Sequence, residues 1–73
     1  MSLGKRIRAI REGRGESQSQ FGITLGYREH DVSRWETDRN APGHEALLRI
    51  ADAGGVTVDW LLRGDVTQPV EAP

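Results

Sequence analysis

A short run of polar side chains between Arg28 and Thr37 carries the chemistry that stands out in this sequence. It combines arginine, glutamate, histidine, serine and threonine, which together offer hydrogen-bond donors and acceptors. Arginine can pair through two hydrogen bonds with guanine, glutamate can accept from cytosine, and serine or threonine can pair with several bases. A histidine, here His30, can donate to guanine or to a phosphate. These residue types fit a surface that reads the edges of base pairs.

The apolar residues decide which of these side chains point outward. If residues 28–37 form a helix, a rotation of roughly 100° per residue brings Val32 and Trp35 together on the buried side. The outward set is then Glu29, His30, Ser33, Arg34 and Thr37, joined by Arg28, which lies on the buried side by angle but can swing outward at the helix start. Polar outer faces are the norm for surface helices, so the face alone leaves base reading and a plain solvated surface equally open.

Two helices joined by a tight turn are predicted to position this face. Apolar residues occur on both sides of the turn, at Phe21, Ile23 and Leu25 before it and at Val32 and Trp35 after it. Gly26 supplies the positive φ that the corner requires, and Gly22 is small where the two helices must approach. This is the layout of a helix-turn-helix, whose second helix buries one side and leaves the other free to enter a major groove.

Helical periodicity continues through the rest of the chain. Leu3, Ile7 and Ile10 form one stripe of a first helix, and Ser17 with Gln20 forms a capping-box pattern at the start of the second. Pro42 suits the first turn of a fourth helix, which Gly54 and Gly55 end. Thr57 can cap a fifth helix from Val58 to Arg63. We therefore predict an all-α, compact five-helix domain over residues 1–64, followed by a disordered tail at 65–73.

Composition narrows the function classes. A chain of 73 residues makes at most one domain, it contains no cysteine, and its two histidines, His30 and His44, are too isolated for a zinc site. No nucleophile–base arrangement or phosphate-cradling glycine loop is present, so we expect no enzyme, metal or cofactor. No apolar run is long enough to span a membrane, and we expect a cytoplasmic protein.

Charge is spread unevenly along the chain. The net charge is −1, whereas nucleic-acid-binding domains are usually basic. Residues 1–44 carry eight Lys/Arg and six Asp/Glu, a net +2, and residues 45–73 carry two and five, a net −3. The predicted DNA-reading face lies in the positive half of the chain. Asp31, which belongs to the same helix, can pair with Arg28 or Arg34 at helical spacing. Such a pair either holds an arginine in position or is a solvated surface pair of little energetic value.

Taken in order, these motifs resemble the phage repressor/Cro-like helix-turn-helix family, which includes the xenobiotic-response-element type regulators. The resemblance runs from about Leu3 to Gly64. It is carried by LGKRIRAIRE at 3–12, SQSQFG at 17–22, LGY at 25–27, VSRWE at 32–36, Pro42, LLRIA at 47–51 and GVTVDWLLRG at 55–64. It implies a sequence-specific DNA-binding transcriptional regulator, expected to be a repressor, that binds an inverted-repeat operator as a homodimer.

The resemblance also implies roles for single residues. Arg28, Glu29, His30, Ser33 and Arg34 occupy positions that face bases or adjacent phosphates. Gln18, Thr37, Arg39 and Asn40 match positions that contact the DNA backbone. The alternative for Gln18 is a plain exposed helix start, and for Arg39 and Asn40 it is an ordinary solvated turn. Arg11 and Glu36 match a structural salt bridge between the first and third helices. The first-helix cations Lys5, Arg6 and Arg8 could contact phosphate, but we expect them to lie on a solvated helix face.

Three positions depart from the family pattern. Gly22 stands where alanine is usual, and Asp38 replaces a frequent glycine after the third helix, where aspartate can still adopt the left-handed conformation. Gly54 replaces a core leucine, and we expect the large side chain of Trp35 to fill the space.

Two questions stay open at this stage. The region of Trp60, Leu61 and Leu62 is the expected dimer surface, but Leu61 and Leu62 can instead close the core. The acidic Glu29 and the negative net charge also favour a second function, a protein-interaction module of the antitoxin or anti-repressor kind with weak or no DNA binding. The sequence does not specify the operator, the direction of regulation, an effector, or whether the chain is part of a longer protein.

Overall fold

The computed structural model describes residues 2–64, which form five α-helices and no strand. The helices are α1 (Leu3–Gly13), α2 (Gln18–Leu25), α3 (Glu29–Glu36), α4 (His44–Gly54) and α5 (Val58–Arg63). The predicted all-α architecture is confirmed, and the disorder expected at residues 65–73 concerns a segment outside the described residues. Between residues 2 and 64, no helix is both long and apolar enough to cross a membrane.

The predicted helix ends are mostly in place. The Ser17 side chain accepts from the backbone N–H of Gln20 and the Gln20 side chain accepts from that of Ser17, which completes the capping box at the start of α2. Gly26 ends α2 in the left-handed conformation with φ 84°. The prediction for Pro42 is wrong, because α4 begins only at His44 and Gly43 is its N-cap residue. Pro42 is buried ahead of the helix.

The core takes one large, fully buried side chain from each helix. In chain order these side chains are Ile7, Phe21, Val32, Ile50 and Leu61. Ile23, expected among the apolar contacts of α2, is instead 77% exposed. The reason is helical geometry. Phe21 and Leu25 are four residues apart and share the buried face, and Ile23, midway between them, points roughly 200° away.

Gly54 leaves room that another helix fills. A Cβ atom on Gly54 would lie 2.7 Å from Cδ1 of Ile10, so α1 supplies the filling side chain. The expectation that Trp35 fills this space is therefore wrong. The Trp35 ring instead packs edge-on against Tyr27, with ring centroids 5.1 Å apart at 71°, and so holds the turn against α3.

Three arginine side chains donate hydrogen bonds to backbone carbonyls at the C-terminal ends of other helices. Arg6 donates to Leu61 O and Leu62 O, Arg14 to Ala53 O, and Arg49 to Leu25 O. The last carbonyls of a helix lack helical partners and attract cations, so each bond satisfies an acceptor that the helix cannot. Arg6 is only 6% exposed, which corrects the expectation that it lies on a solvated face.

Candidate nucleic-acid interface

The corner between α2 and α3 depends on a close backbone approach at Gly22. The Tyr27 N–H donates to Gly22 O at 2.7 Å, and a Cβ on Gly22 would lie 2.8 Å from Tyr27 O. Even alanine would force the backbone to shift. Arg49 supports the same corner from α4, since its Nη1 donates to Leu25 O, the last carbonyl of α2. The sequence offered no signal for this role of Arg49.

A second close approach fixes the end of α3 against α1. A Cβ on Gly4 would lie 2.5 Å from Trp35 O and 2.6 Å from Glu36 O, so the two backbones touch. Asp38 adopts the left-handed conformation expected of it, with φ 62°, and its Oδ1 accepts from the Gly4 N–H at 3.0 Å. Hydrogen bonds from Ser2 and from the Gly4 backbone hold the pKa of Asp38 below its ordinary value.

Sequence reasoning missed Gly4. The available signal was a glycine in the first turn of a helix, where glycine costs stability relative to alanine unless the site needs the space.

Arg11 and Glu36 form the ion pair that the family pattern implies. Arg11 Nε lies 2.6 Å from Glu36 Oε2 and its Nη2 lies 3.0 Å from Oε1, a two-pronged contact between α1 and α3. Both side chains are largely buried. The pairing raises the pKa of the Arg11 guanidinium, chiefly through its hydrogen bond with Glu36. Gln18 Nε2 donates to the same Oε1 at 3.1 Å, so one carboxylate joins the first three helices.

The outward side of α3 is open to solvent. Val32, Trp35 and Glu36 form its buried side, whereas Arg28, Glu29, His30 and Arg34 are exposed and Ser33 is half-buried. Arg28 is the N-cap residue and not part of the helix proper. Within residues 2–64, the Arg34 side chain has no hydrogen-bond or ion-pair partner, so its guanidinium is available to a ligand.

Asp31 has a different partner from the two arginines considered for it. Its Oδ2 accepts from the backbone N–H of Arg28 at 3.2 Å, and its Oδ1 lies 3.6 Å from His30 Nε2. In the described part of the chain neither arginine side chain reaches it. The carboxylate turns toward the first turn of α3, where a negative charge is favoured by the helix dipole.

The start of α2 and the outward side of α3 enclose an open cleft of about 340 Å³. Gln18, Glu29, His30 and Ser33 line it. The structure thus brings one of the expected backbone-contacting residues together with three of the expected base-contacting residues. The cleft offers amide, imidazole and hydroxyl groups beside one carboxylate, a mixture suited to a phosphate and base edge but lacking the ligand cluster of a metal site. No group of three potential metal ligands occurs in residues 2–64.

The remaining expected contacts lie where α3 ends. The Thr37 hydroxyl donates to Ser33 O at 2.9 Å and so caps its own helix. The backbone N–H groups of Arg39 and Asn40 both donate to Arg34 O, which ties the loop to α3 and leaves the two side chains exposed.

The three residues expected at the dimer surface differ in their burial. Leu61 is fully buried in the core, so it cannot form part of a surface between two copies. Leu62 is 52% exposed and Trp60 is half-buried. The sequence prediction is therefore wrong for Leu61, because the side of α5 that carries this residue packs against α1 and α4. Leu62, the next residue, lies roughly 100° further round the helix and is exposed.

Solved structures share the fold of this chain. A crystal structure of the P22 c2 repressor in complex with a synthetic operator matches with a TM-score of 0.85 and 34% identity, covering 89% of this chain and 98% of that one. The solution structure of the DNA-binding domain of the P22 c2 repressor matches with a TM-score of 0.80 and 33% identity, covering 96% and 92%.

The curated relatives are also transcription regulators. Repressor protein C2 of Salmonella phage P22 is 35% identical over 66 residues, covering 90% of this chain and 31% of the relative. The HTH-type transcriptional regulator ImmR of Bacillus subtilis is 32% identical over 65 residues, covering 89% and 51%. The chain thus spans about a third of one relative and about half of the other. A family model described as a helix-turn-helix domain matches residues 2–67. Fold, corner geometry and sequence agree, and the chain belongs to the helix-turn-helix domain family.

Proposed function

We propose that this chain is the sequence-specific DNA-binding domain of a cytoplasmic transcriptional regulator, a repressor, and that α3 enters the major groove. The observation that carries the proposal is the two-sidedness of α3. Its inward side is packed by Val32 and Trp35 and held by the ion pair of Glu36, whereas its outward side is polar and exposed. A rigid helix with a free polar side is what base reading requires.

The side chains divide into two groups by position. Arg34, Ser33, His30 and Glu29 on α3, together with Arg28 at its start, contact bases or the adjacent phosphates. Gln18 at the start of α2 contacts the backbone on one flank, and Thr37, Arg39 and Asn40 contact it on the other. The exposed Arg34 guanidinium supports this division, because a guanidinium can donate two hydrogen bonds to guanine.

Similarity to repressors supports the proposal independently of α3. The P22 c2 repressor was solved in complex with a synthetic operator, and this chain covers 98% of that protein chain. Because the curated relatives are two to three times longer, other parts of such regulators lie outside the matched region.

We further propose that two copies bind an inverted repeat whose half-sites lie one helical turn apart, roughly 34–36 Å. The apolar surface that supports pairing is the exposed side of α5 with Leu62 and the uncovered part of Trp60.

One observation favours the alternative, a module that binds protein and not DNA. Glu29 is exposed on the outward side of α3. In addition, the guanidinium groups of Arg6, Arg11 and Arg14 are engaged by hydrogen bonds within the domain. An acidic side chain repels phosphate, and a cation engaged within the domain is less available to attract it. The two functions predict different results with a random-sequence duplex: a DNA-binding domain binds it and a protein-binding module does not.

The test is fluorescence anisotropy with a random-sequence duplex at low salt, followed by a salt titration. A groove binder binds detectably, and the logarithm of its binding constant falls with the logarithm of salt by roughly 0.9 per phosphate contacted. Arg34→Ala should weaken binding, whereas the matched control Arg63→Ala, an exposed arginine paired with Asp59 on α5, should not. No binding by the wild type at low salt would contradict the proposal and support the protein-binding module.

A further inference from the structure

Glu29 is the first residue of α3, and within residues 2–64 its carboxylate has no hydrogen-bond or ion-pair partner. The side chain is exposed and lines, with Gln18, the open cleft between α2 and α3. The backbone N–H of the N-cap residue Arg28 is already bonded to Asp31 Oδ2, so Glu29 is not needed to cap the helix. Its carboxylate is therefore free to meet a ligand.

A free carboxylate is an exception in this domain. Five carboxylates in the described part of the chain pair with an arginine: Glu12, Glu16, Glu36, Glu45 and Asp59. Two more, Asp31 and Asp38, accept from backbone N–H groups. In the same residues, only Glu29 and Asp52 have a carboxylate without such a partner, and Asp52 lies on α4, away from the α2–α3 cleft.

A carboxylate on a DNA-facing helix opposes binding unless a donor meets it. It repels phosphate whatever the sequence, and it has acceptors only, so an edge that presents acceptors leaves it unpaired. In the major groove guanine presents two acceptors and thymine presents one, whereas adenine presents an amine beside an acceptor. Cytosine presents an amine donor and no acceptor, and it is therefore the base that suits a carboxylate best.

The place of Glu29 in the fold favours a contact with a base edge. The first residues of a recognition helix are those that contact base edges in a helix-turn-helix. Arg34, whose guanidinium also has no partner in residues 2–64, lies five residues further on, about 7.5 Å along the helix axis. The outward side of α3 thus presents a charged acceptor at its start and a charged donor near its end.

We infer that Glu29 is a specificity-determining residue: its carboxylate accepts from the amine of a cytosine in each half-site and lowers the affinity for duplexes without a cytosine there. This inference rests on the proposed entry of α3 into the major groove. The repulsion of phosphate is present at every site, and only a site with the amine offsets it. Glu29 therefore separates specific from non-specific binding.

The test is selection from a library of random-sequence duplexes by four forms of the full chain: wild type, Glu29→Gln, Glu29→Ala and Asp52→Asn. Asp52→Asn is the matched control, because it removes one charge from the other unpaired carboxylate of residues 2–64. Fluorescence anisotropy then measures binding to the duplex that the wild type selects, to the same duplex with N4-methylcytosine at the contacted position, and to a random-sequence duplex. The methyl group replaces the amine hydrogen that faces the groove and keeps the one that pairs with guanine.

We expect the wild type to enrich cytosine at one position of each half-site. N4-methylcytosine should weaken the wild type about tenfold, the value of one hydrogen bond to a charged group, and should leave Glu29→Ala nearly unchanged. Glu29→Gln should accept guanine as well as cytosine, because its amide both donates and accepts.

Non-specific binding should change in the opposite direction. At low salt Glu29→Gln should bind the random-sequence duplex about two- to fivefold more tightly than the wild type, and this gain should shrink as salt rises. Asp52→Asn should match the wild type in every measurement.

The failures of the inference and of the proposed function are distinguishable. The role of Glu29 is overturned, and the proposed function stands, if the wild type shows no cytosine preference or if that preference survives in Glu29→Ala. Full wild-type affinity for the N4-methylated duplex has the same meaning, as does an equal gain in random-duplex affinity for Asp52→Asn. No enrichment of any sequence by any form overturns both the inference and the proposed function.

Discussion

Gln18 Nε2 and Glu36 Oε1 are 3.1 Å apart, and this hydrogen bond links the edge of the proposed interface to its buried support. The amide nitrogen of Gln18 has two hydrogens, and the bond to Glu36 uses one of them. The other can reach a phosphate without breaking the link. Glu36 is also paired with Arg11, so its carboxylate fixes the end of α3 to α1. The same carboxylate positions the Gln18 amide at the start of α2 for its proposed contact with a phosphate.

Breaking this pair from one side should be costly. Glu36→Gln removes the charge that compensates the largely buried Arg11, and we expect a loss of about 3–5 kcal/mol in the free energy of unfolding. The matched control is Glu12→Gln, which breaks the exposed pair with Arg8 and should cost less than about 1 kcal/mol. Urea unfolding monitored by circular dichroism measures both. Equal losses for the two variants would contradict the structural role of Glu36.

Gly4 should tolerate no side chain. Gly4→Ala places a methyl group against the carbonyl oxygens of Trp35 and Glu36, and overpacking of this kind costs about 1–3 kcal/mol. Gly13→Ala, at the other end of the same helix, meets nothing within 4 Å and should be neutral or stabilising by up to about 1 kcal/mol. Thermal unfolding of the two variants distinguishes them. A stable Gly4→Ala protein would show that α1 and α3 do not touch there.

Acid should remove the stabilising contribution of the Asp38 charge. The pKa of Asp38 is lowered in the folded state by hydrogen bonds from Ser2 and from Gly4. A lowered folded pKa gives stability that is present above the unfolded value of about 3.9 and is lost as pH falls through the folded value. Asp38→Asn keeps the left-handed conformation accessible but cannot ionise. The stability difference between wild type and variant should therefore be constant from pH 7 to about pH 5 and shrink below about pH 4. Chemical unfolding across this range measures it, and a difference that grows in acid would contradict the assignment.

Base reading and backbone binding should separate by mutation. Arg34→Ala should cost about 1–3 kcal/mol on the preferred sequence and relax the preference at one base position. Gln18→Ala should weaken all sequences alike. Selected-library profiles of the two variants give the comparison. Identical base profiles for wild type and Arg34→Ala would remove Arg34 from the reading set.

Much of the fold follows from local signals in the sequence. Ser17, Gly26 and Thr57 end or begin helices by mechanisms that a few neighbouring residues define, so the helices they bound were predictable. Pro42 does not locate the start of α4, because proline is compatible both with a first helical turn and with the residues just before it. The apolar character of Ile23 does not indicate burial, because this residue lies two positions from both Phe21 and Leu25 and therefore on the opposite side of α2.

The contacts between helices were harder to predict from the sequence. The burial of Arg6 is not evident from its neighbours in the sequence, because its partners are the last carbonyls of α5, more than fifty residues away. The filling of the space at Gly54 by Ile10 depends on how α1 crosses α4, which no local pattern defines. On the proposed interface, the outward side of α3 could be predicted from Val32 and Trp35. The partner of Asp31 could not, because the choice between an arginine side chain and the Arg28 backbone N–H depends on the side-chain conformation.

The most direct test of the account is to map where a duplex contacts the domain. We propose NMR titration of the isotope-labelled chain with the duplex selected from the random library. The account predicts the largest amide and side-chain shifts at Gln18 and across residues 28–34, with Leu48 on α4 nearly unchanged. Largest shifts at Leu48 with residues 28–34 unaffected would show that DNA approaches another side, and the assignment of α3 as the reading helix would be wrong.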